Sequence, residues 1–386
     1  MDVQFSEEQE SLRDSARTLL ERECPMQLVR DQFDDARGFP ESLWRSMADL
    51  GWMGLRIPEE YGGSGLGAVD LALLLEEMGR ALCPGPFVST AVVGAQAILQ
   101  GGNEAQRRQW LPPLVSGDLR LALAQVEEDA NWGAEGIRLT LEEQGGDLTL
   151  SGRKCFVADA PSADLLVVAG RSAADPAHPS RGISLLLVDA HAPGVSIRTL
   201  DLVEQSRKVA EISFDDVTVP RESLLGALGE GWPLLERLHD HARVAACAEL
   251  SGSAEKVLEM SVAYAKTREQ FGQPIGRFQA LQHKCADMLV ASESIRSAAY
   301  YAAWALEQPD LDPHTTACLA NAFCSEAYVK VAGDGIQIHG GLGFTWEQDL
   351  HLYFKHARAA ELAFGSPSHQ REIAAQVLVD GPGPGA

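Results

Sequence analysis

Positive charge is scarce in this chain: 32 lysines and arginines stand against 55 aspartates and glutamates, a formal net charge of -23. No basic tract stands anywhere in it, so nucleic acid and acidic membrane surfaces are excluded as partners, because the overall field repels them. An anionic small ligand has to be held by local cations set against that field. Long apolar runs are missing as well. No stretch reaches the ~18 apolar residues that a membrane-spanning helix needs. The opening MDVQFSEEQESLRDSARTLL places acids among its apolar positions, unlike the basic and then apolar start of a signal peptide. The cytoplasm is the expected location. Cysteine is sparse and lacks pairing patterns: seven residues, an odd number, with no CxxC, point to free buried thiols in a reducing compartment. HExxH is absent, and His239 and His241, two apart on a predicted helix, face different ways, so no metal site is expected. There is no internal repeat.

What is present is an ordinary globular composition, 45% hydrophobic over 386 residues, enough for two or three cores. Residues 1–117 read as helical: Ser6 before two glutamates is an N-cap signal, and Leu12, Ala16, Leu19 and Leu20 recur at helical spacing. Residues 51–67 read as a loop, in which Gly63-x-Gly65-x-x-Ala68 is turn punctuation because no βαβ unit surrounds it. A second helix follows over 69–82 until Pro84-Gly-Pro86 stops it. Over 118–226 the period changes to short β-rich runs at 148–151, 155–157, 164–168, 183–188 and 209–214, which predict a small antiparallel barrel or sandwich. The segment 171–181 is a polar loop between two of them. Helical spacing returns over 227–379, and the tail 380–386, rich in glycine and proline, is expected not to pack. The predicted fold is mainly α with a central β domain.

Two stretches carry the chemistry. In Arg268-Glu-Gln-Phe271-Gly272-Gln-Pro274-Ile, a cation for phosphate, a ring for stacking and a rigid bend sit between helices, followed by Phe278-Gln279-xx-Gln282-x-Lys284. That combination suits a dinucleotide in an extended pose. The second stretch is Gln337-Ile-His-Gly340-Gly341-Leu-Gly-Phe-Thr-Trp-Glu347. Its glycines let backbone amides approach phosphates.

Together with Ile57-Pro-Glu-Glu-Tyr-Gly-Gly63, these motifs resemble the acyl-CoA dehydrogenase family over nearly the whole chain. The resemblance implies an N-terminal helical domain, a β domain and a C-terminal four-helix bundle. It implies FAD as cofactor, held between subunits. Arg268, Phe271, Gln279, Gln337, Gly340 and Gly341 would then meet the adenosine and pyrophosphate half of a neighbour's FAD. An acyl-CoA thioester is the implied substrate, and electron-transfer flavoprotein the implied acceptor. Asp240 and Arg243 fall where the family has an Asp-x-x-Arg pair lining the thioester channel. Residues three apart share a helical face, so either one ligand or a plain surface ion pair accounts for them.

Several positions depart from the pattern. In the family a carboxylate takes the α proton while the flavin takes the β hydride. Phe364, before Gly365-Ser366, stands at the usual glutamate position, and Ala242 stands at the alternative one. His241 is a weak substitute candidate. In the loop that faces the flavin, Val126 lacks a hydroxyl, Trp132 replaces a small serine, and Glu128 and Asp129 add negative charge. Phe156 replaces a shielding tryptophan, and Ala158 replaces a hydroxyl residue. Trp346-Glu347-Gln-Asp-Leu-His351 with Phe364-Gly365 further resembles the non-catalytic subunits of heteromeric bacterial enzymes that act on steroid and bile-acid side chains. The leading expectation is therefore a subunit without its own base that supplies FAD contacts to a second dehydrogenase-like chain. The alternatives are a homomeric dehydrogenase with an unconventional base, a flavin monooxygenase or oxidase on this fold, and an acyl-CoA-binding protein without flavin.

Overall fold

The computed structural model describes residues 5–380; of the unpacked tail expected at 380–386, Asp380 ends the last helix and 381–386 lie outside the described residues. Six helices come first: α1 (Glu7–Glu23), α2 (Met26–Asp31), α3 (Glu41–Asp49), α4 (Ala68–Arg80), α5 (Ala95–Gly101) and α6 (Glu104–Val115). Strands follow: β1 (Leu121–Ala124), β2 (Thr140–Gln144), β3 (Asp147–Ala158), β4 (Leu165–Arg171), β5 (Ile183–Asp189), β6 (Val195–Thr199), β7 (Val209–Val219) and β8 (Leu224–Leu225). The chain then returns to helix with α7 (Trp232–Thr267). A short hairpin, β9 (Glu269–Gln270) and β10 (Gln273–Pro274), precedes α8 (Gln279–Ala305), α9 (Pro313–His339), α10 (Leu350–Ala360) and α11 (Pro367–Asp380).

These elements form two compact units. The first takes the chain up to Arg30, then Ala68–Cys83, then everything from Arg243. α1 starts where its capping box dictates: the Ser6 hydroxyl accepts the Gln9 N–H, and the Gln9 side chain accepts the Ser6 N–H. It buries Ala16, Leu19 and Leu20. α4 is apolar almost all round, as its Leu71–Leu75 run requires, and packs between α1 and α8. Against α7 it approaches backbone to backbone. A Cβ on Gly252 would lie 1.7 Å from the Glu76 carbonyl oxygen, and one on Gly79 would lie 1.9 Å from that of Glu249. The buried carboxylates beside this crossing are all partnered, as their desolvation demands. Glu76 accepts from Ser251, Arg296 and Tyr300, and Glu77 takes both prongs of Arg17.

The second unit comprises Asp31–Gly67 and Pro84–Ala242. Its sheet runs β6-β7-β3-β2-β4-β5-β8, with β1 joined to β4. Alternating residues such as Leu148, Leu150, Leu166, Val168, Leu186, Val188, Ala210 and Ile212 fill its core. The sheet is mainly antiparallel, but β1 lies parallel to β4, a pairing the sequence did not announce. The runs at 148–151 and 155–157 form one strand rather than two, broken by register shifts near Gly152 and between Lys154 and Val157. β1, β2 and β6 had no reading in the sequence. Among the described residues no helix is long and apolar enough to cross a membrane.

Candidate cofactor and thioester site

The first unit gathers the dinucleotide candidates at one end of its bundle. The hairpin turn has Phe271 at φ 54° and Gly272 at φ 75°, the pair of positive angles of a type I′ turn. The Ile275 N–H donates to the Arg268 carbonyl at 2.8 Å and closes it. This geometry pushes the Phe271 ring outward, 90% exposed, edge-on to Phe278. Arg268 and Gln279 are also exposed. Four residues before Arg268, Tyr264 stacks on His339 with ring centroids 4.1 Å apart, which brings the end of α7 to the end of α9. There Gln337, Gly340 and Gly341 are exposed. Gly340, at φ 59° and ψ -138°, adopts a conformation that glycine alone takes easily. A Cβ on Gly340 or Gly341 would meet nothing within 4 Å, so this turn is uncovered, although the Gly340 N–H itself donates to the Gln337 carbonyl.

In the second unit, the loop expected to face the flavin is fastened from below. Lys154 is fully buried and donates to the Gln125 carbonyl and to Glu127, each at 2.8 Å. Burial lowers its pKa to about 8, against the pull of Glu127. Glu127 also accepts the N–H groups of Arg138 and Leu139. Val126 is buried and presents no polar group. Trp132 stands edge-on to His239 at 5.9 Å, and Gln125 links the two, its Oε1 accepting from His239 Nε2 and its Nε2 donating to the Trp132 carbonyl at 3.2 Å. Phe156, at φ 55° on the bulge, is half exposed, and Ala158 is exposed beside it.

Asp240 and Arg243 are 5% and 2% exposed, so an ordinary surface ion pair does not describe them. Ala242 is buried. The His241 ring faces donors on both sides, Arg56 Nη1 at 3.2 Å from Nδ1 and Gln100 Nε2 at 3.0 Å from Nε2, of which a neutral imidazole can accept from only one. A guanidinium only donates, so Nδ1 must keep its lone pair for Arg56. Burial, with Arg56 and Arg237 alongside, lowers the His241 pKa to about 3. Such a ring is a feeble proton acceptor. Phe364 is half-buried, and its carbonyl accepts from Gln370 Nε2. No cluster of metal-ligating side chains occurs among the described residues.

The fold is that of the flavin-dependent oxidoreductases of acyl-CoA thioesters. Family models described as the N-terminal, middle and C-terminal domains of acyl-CoA dehydrogenase match residues 6–118, 122–217 and 229–379. An acyl-CoA dehydrogenase of Bacillus subtilis is 32% identical, over 98% of this chain and 100% of its own. The solved butyryl-CoA dehydrogenase of Megasphaera elsdenii superposes with a TM-score of 0.89 at 27% identity, covering 97% of this chain and 98% of that one. The solved FAD complex of PigA gives a TM-score of 0.88 at 25% identity, over 97% of this chain and 98% of that one. The chain belongs to the acyl-CoA dehydrogenase family, and FAD is its cofactor. The exposed cation and ring and the uncovered glycine turn of the first unit have the chemistry that an adenosine and phosphate half would need.

Proposed function

We propose that this chain is a subunit of a flavin-dependent acyl-CoA dehydrogenase that introduces a 2,3 double bond into a bulky acyl-CoA, in an assembly where FAD is shared across subunits. The observation behind the sharing is the exposure of Arg268, Phe271, Gln279, Gln337, Gly340 and Gly341 at one end of the first unit. Arg268 would neutralise phosphate, Phe271 would stack on the adenine, and the uncovered glycine turn at 340–341 would let phosphate come close to the backbone. Asp240 and Arg243 would orient the thioester. FAD, when bound, supplies the hydride acceptor.

The neighbour in this reading is a second dehydrogenase-like chain with its own carboxylate, because Phe364 and Ala242 occupy both positions where relatives of this type keep one. The Trp346–His351 run supports a steroid-type side chain as the acyl group, and electron-transfer flavoprotein is the fitting acceptor. The buried free thiols suit a reducing compartment such as the cytoplasm. The test is to purify the chain alone and with such a partner, then measure FAD content and flavin reduction by acyl-CoA. Stoichiometric FAD and ordinary turnover in the lone chain would remove the second subunit from this reading.

A homomeric dehydrogenase with a different base is the second reading. His241 serves it badly, for the reasons above. Another imidazole serves it better.

A further inference from the structure

Within the first unit, one titratable ring lies against the corner where relatives keep their carboxylate. His369 sits in the first turn of α11, and its N–H donates to the Ser366 hydroxyl at 3.2 Å. A Cβ on Gly365 would lie 2.6 Å from His369 Cδ2, and Gly365 has φ +86°. Both the handedness and the room at 365 therefore require glycine, and the imidazole covers the backbone immediately after Phe364. Gln370, fully buried, holds the Phe364 carbonyl and so ties that corner to the same helical turn.

The His369 ring is half-buried, and neither ring nitrogen has a hydrogen-bond partner among the described residues. Two charged groups act on it. Arg243, from α7, disfavours its protonation, and Glu372, on its own helix, favours it. Burial is the larger influence and also holds the ring below its ordinary pKa of 6.5. His369 is thus a neutral imidazole near neutral pH, with a lone pair available, in the field of the arginine of the proposed thioester pair.

We propose that His369 accepts the α proton in this chain's own thioester site, in place of the carboxylate that relatives hold at position 364. The proposal rests on the acyl-CoA dehydrogenase reading in its second form, in which this chain supplies its own base. The C2–H bond breaks and its electrons form the 2,3 double bond. The hydride at C3 leaves to the flavin, and the proton stays on the imidazole. The charge of Arg243, which acts on the ring, then favours release of that proton to water before the next turnover.

The proton step can be read without turnover. The holoprotein is incubated with octanoyl-CoA in deuterium oxide, and deuterium at C2 is measured by mass spectrometry. Wild type should exchange, with a one-proton limb that falls as pH drops below 6.5. His369→Ala should lower exchange by on the order of 10²–10⁴-fold and abolish that limb, with FAD content and melting temperature unchanged. Adding Phe364→Glu to that variant should restore exchange with a limb in the carboxylate range. Unimpaired exchange in His369→Ala overturns the proposal. So does absent exchange in wild type when Phe364→Glu alone exchanges, an outcome that leaves the family reading intact. Absent exchange in both overturns the proposal too, and if neither octanoyl-CoA nor a steroid-side-chain acyl-CoA is retained on gel filtration the acyl-CoA reading falls as well.

Discussion

His241 and Lys154 show how strongly position governs the chemistry of a single residue here. His241 is held neutral by burial and two arginines, with a pKa of about 3 against an ordinary 6.5. Above pH 6.5 neither the folded nor the unfolded ring is charged, so nothing changes there. As pH falls from 6.5 towards 3 the unfolded chain takes up a proton that the folded one refuses, and stability is lost. A His241→Asn variant should therefore give a flatter stability profile through that window by urea denaturation at stepped pH. Lys154 behaves in the opposite range. Its buried ammonium is charged in both states below about 8, and the cost of holding it so disappears as pH rises to 10.5. Glu127 depends on that ammonium to anchor its loop. Lys154→Met should cost about 3–5 kcal/mol in chemical denaturation, the range for orphaning one member of a buried ion pair.

Where α4 crosses α7, Gly79 and Gly252 leave no space for a methyl group, because the obstruction is backbone carbonyl rather than a movable side chain. Gly252→Ala should destabilise the first unit by about 3 kcal/mol or more, read as a lowered melting temperature. Those glycines looked like ordinary mid-helix residues in the sequence, since helix periodicity carries no information about which partner approaches. What was legible followed from local rules. Ser6 capped α1, Pro84 and Pro86 stopped the helix before them, and Phe271-Gly272 turned between helices. β1, β2 and β6 were illegible for different reasons: β1 is four residues of Leu-Ala alternation paired in parallel with a distant strand, and β2 and β6 are short and largely exposed. The corner at 364–365 was visible through its motif. His369 was not, because its approach to Gly365 depends on a positive φ that no spacing encodes.

For the whole molecule, a net charge of -23 opposes every anionic ligand at long range. Association of an acyl-CoA should speed up as salt rises from about 0.01 to 0.15 M, since the Debye length shrinks from roughly 30 to 8 Å while close contacts persist. Stopped-flow flavin quenching at several ionic strengths would measure it, and a rate that falls with salt would contradict it. Phe271→Ala, acting at close contact, should weaken FAD retention about tenfold in the assembled protein, within the ~1–3 kcal/mol that base–aromatic stacking supplies. Equilibrium dialysis of the cofactor checks this.

The hairpin that thrusts Phe271 into solvent has one more consequence. On the shared-cofactor reading, a ring that finds its platform only on another polypeptide makes flavin occupancy a function of protein concentration. Dilution alone should bleach the yellow colour from the preparation, and reconcentration should bring it back without added cofactor.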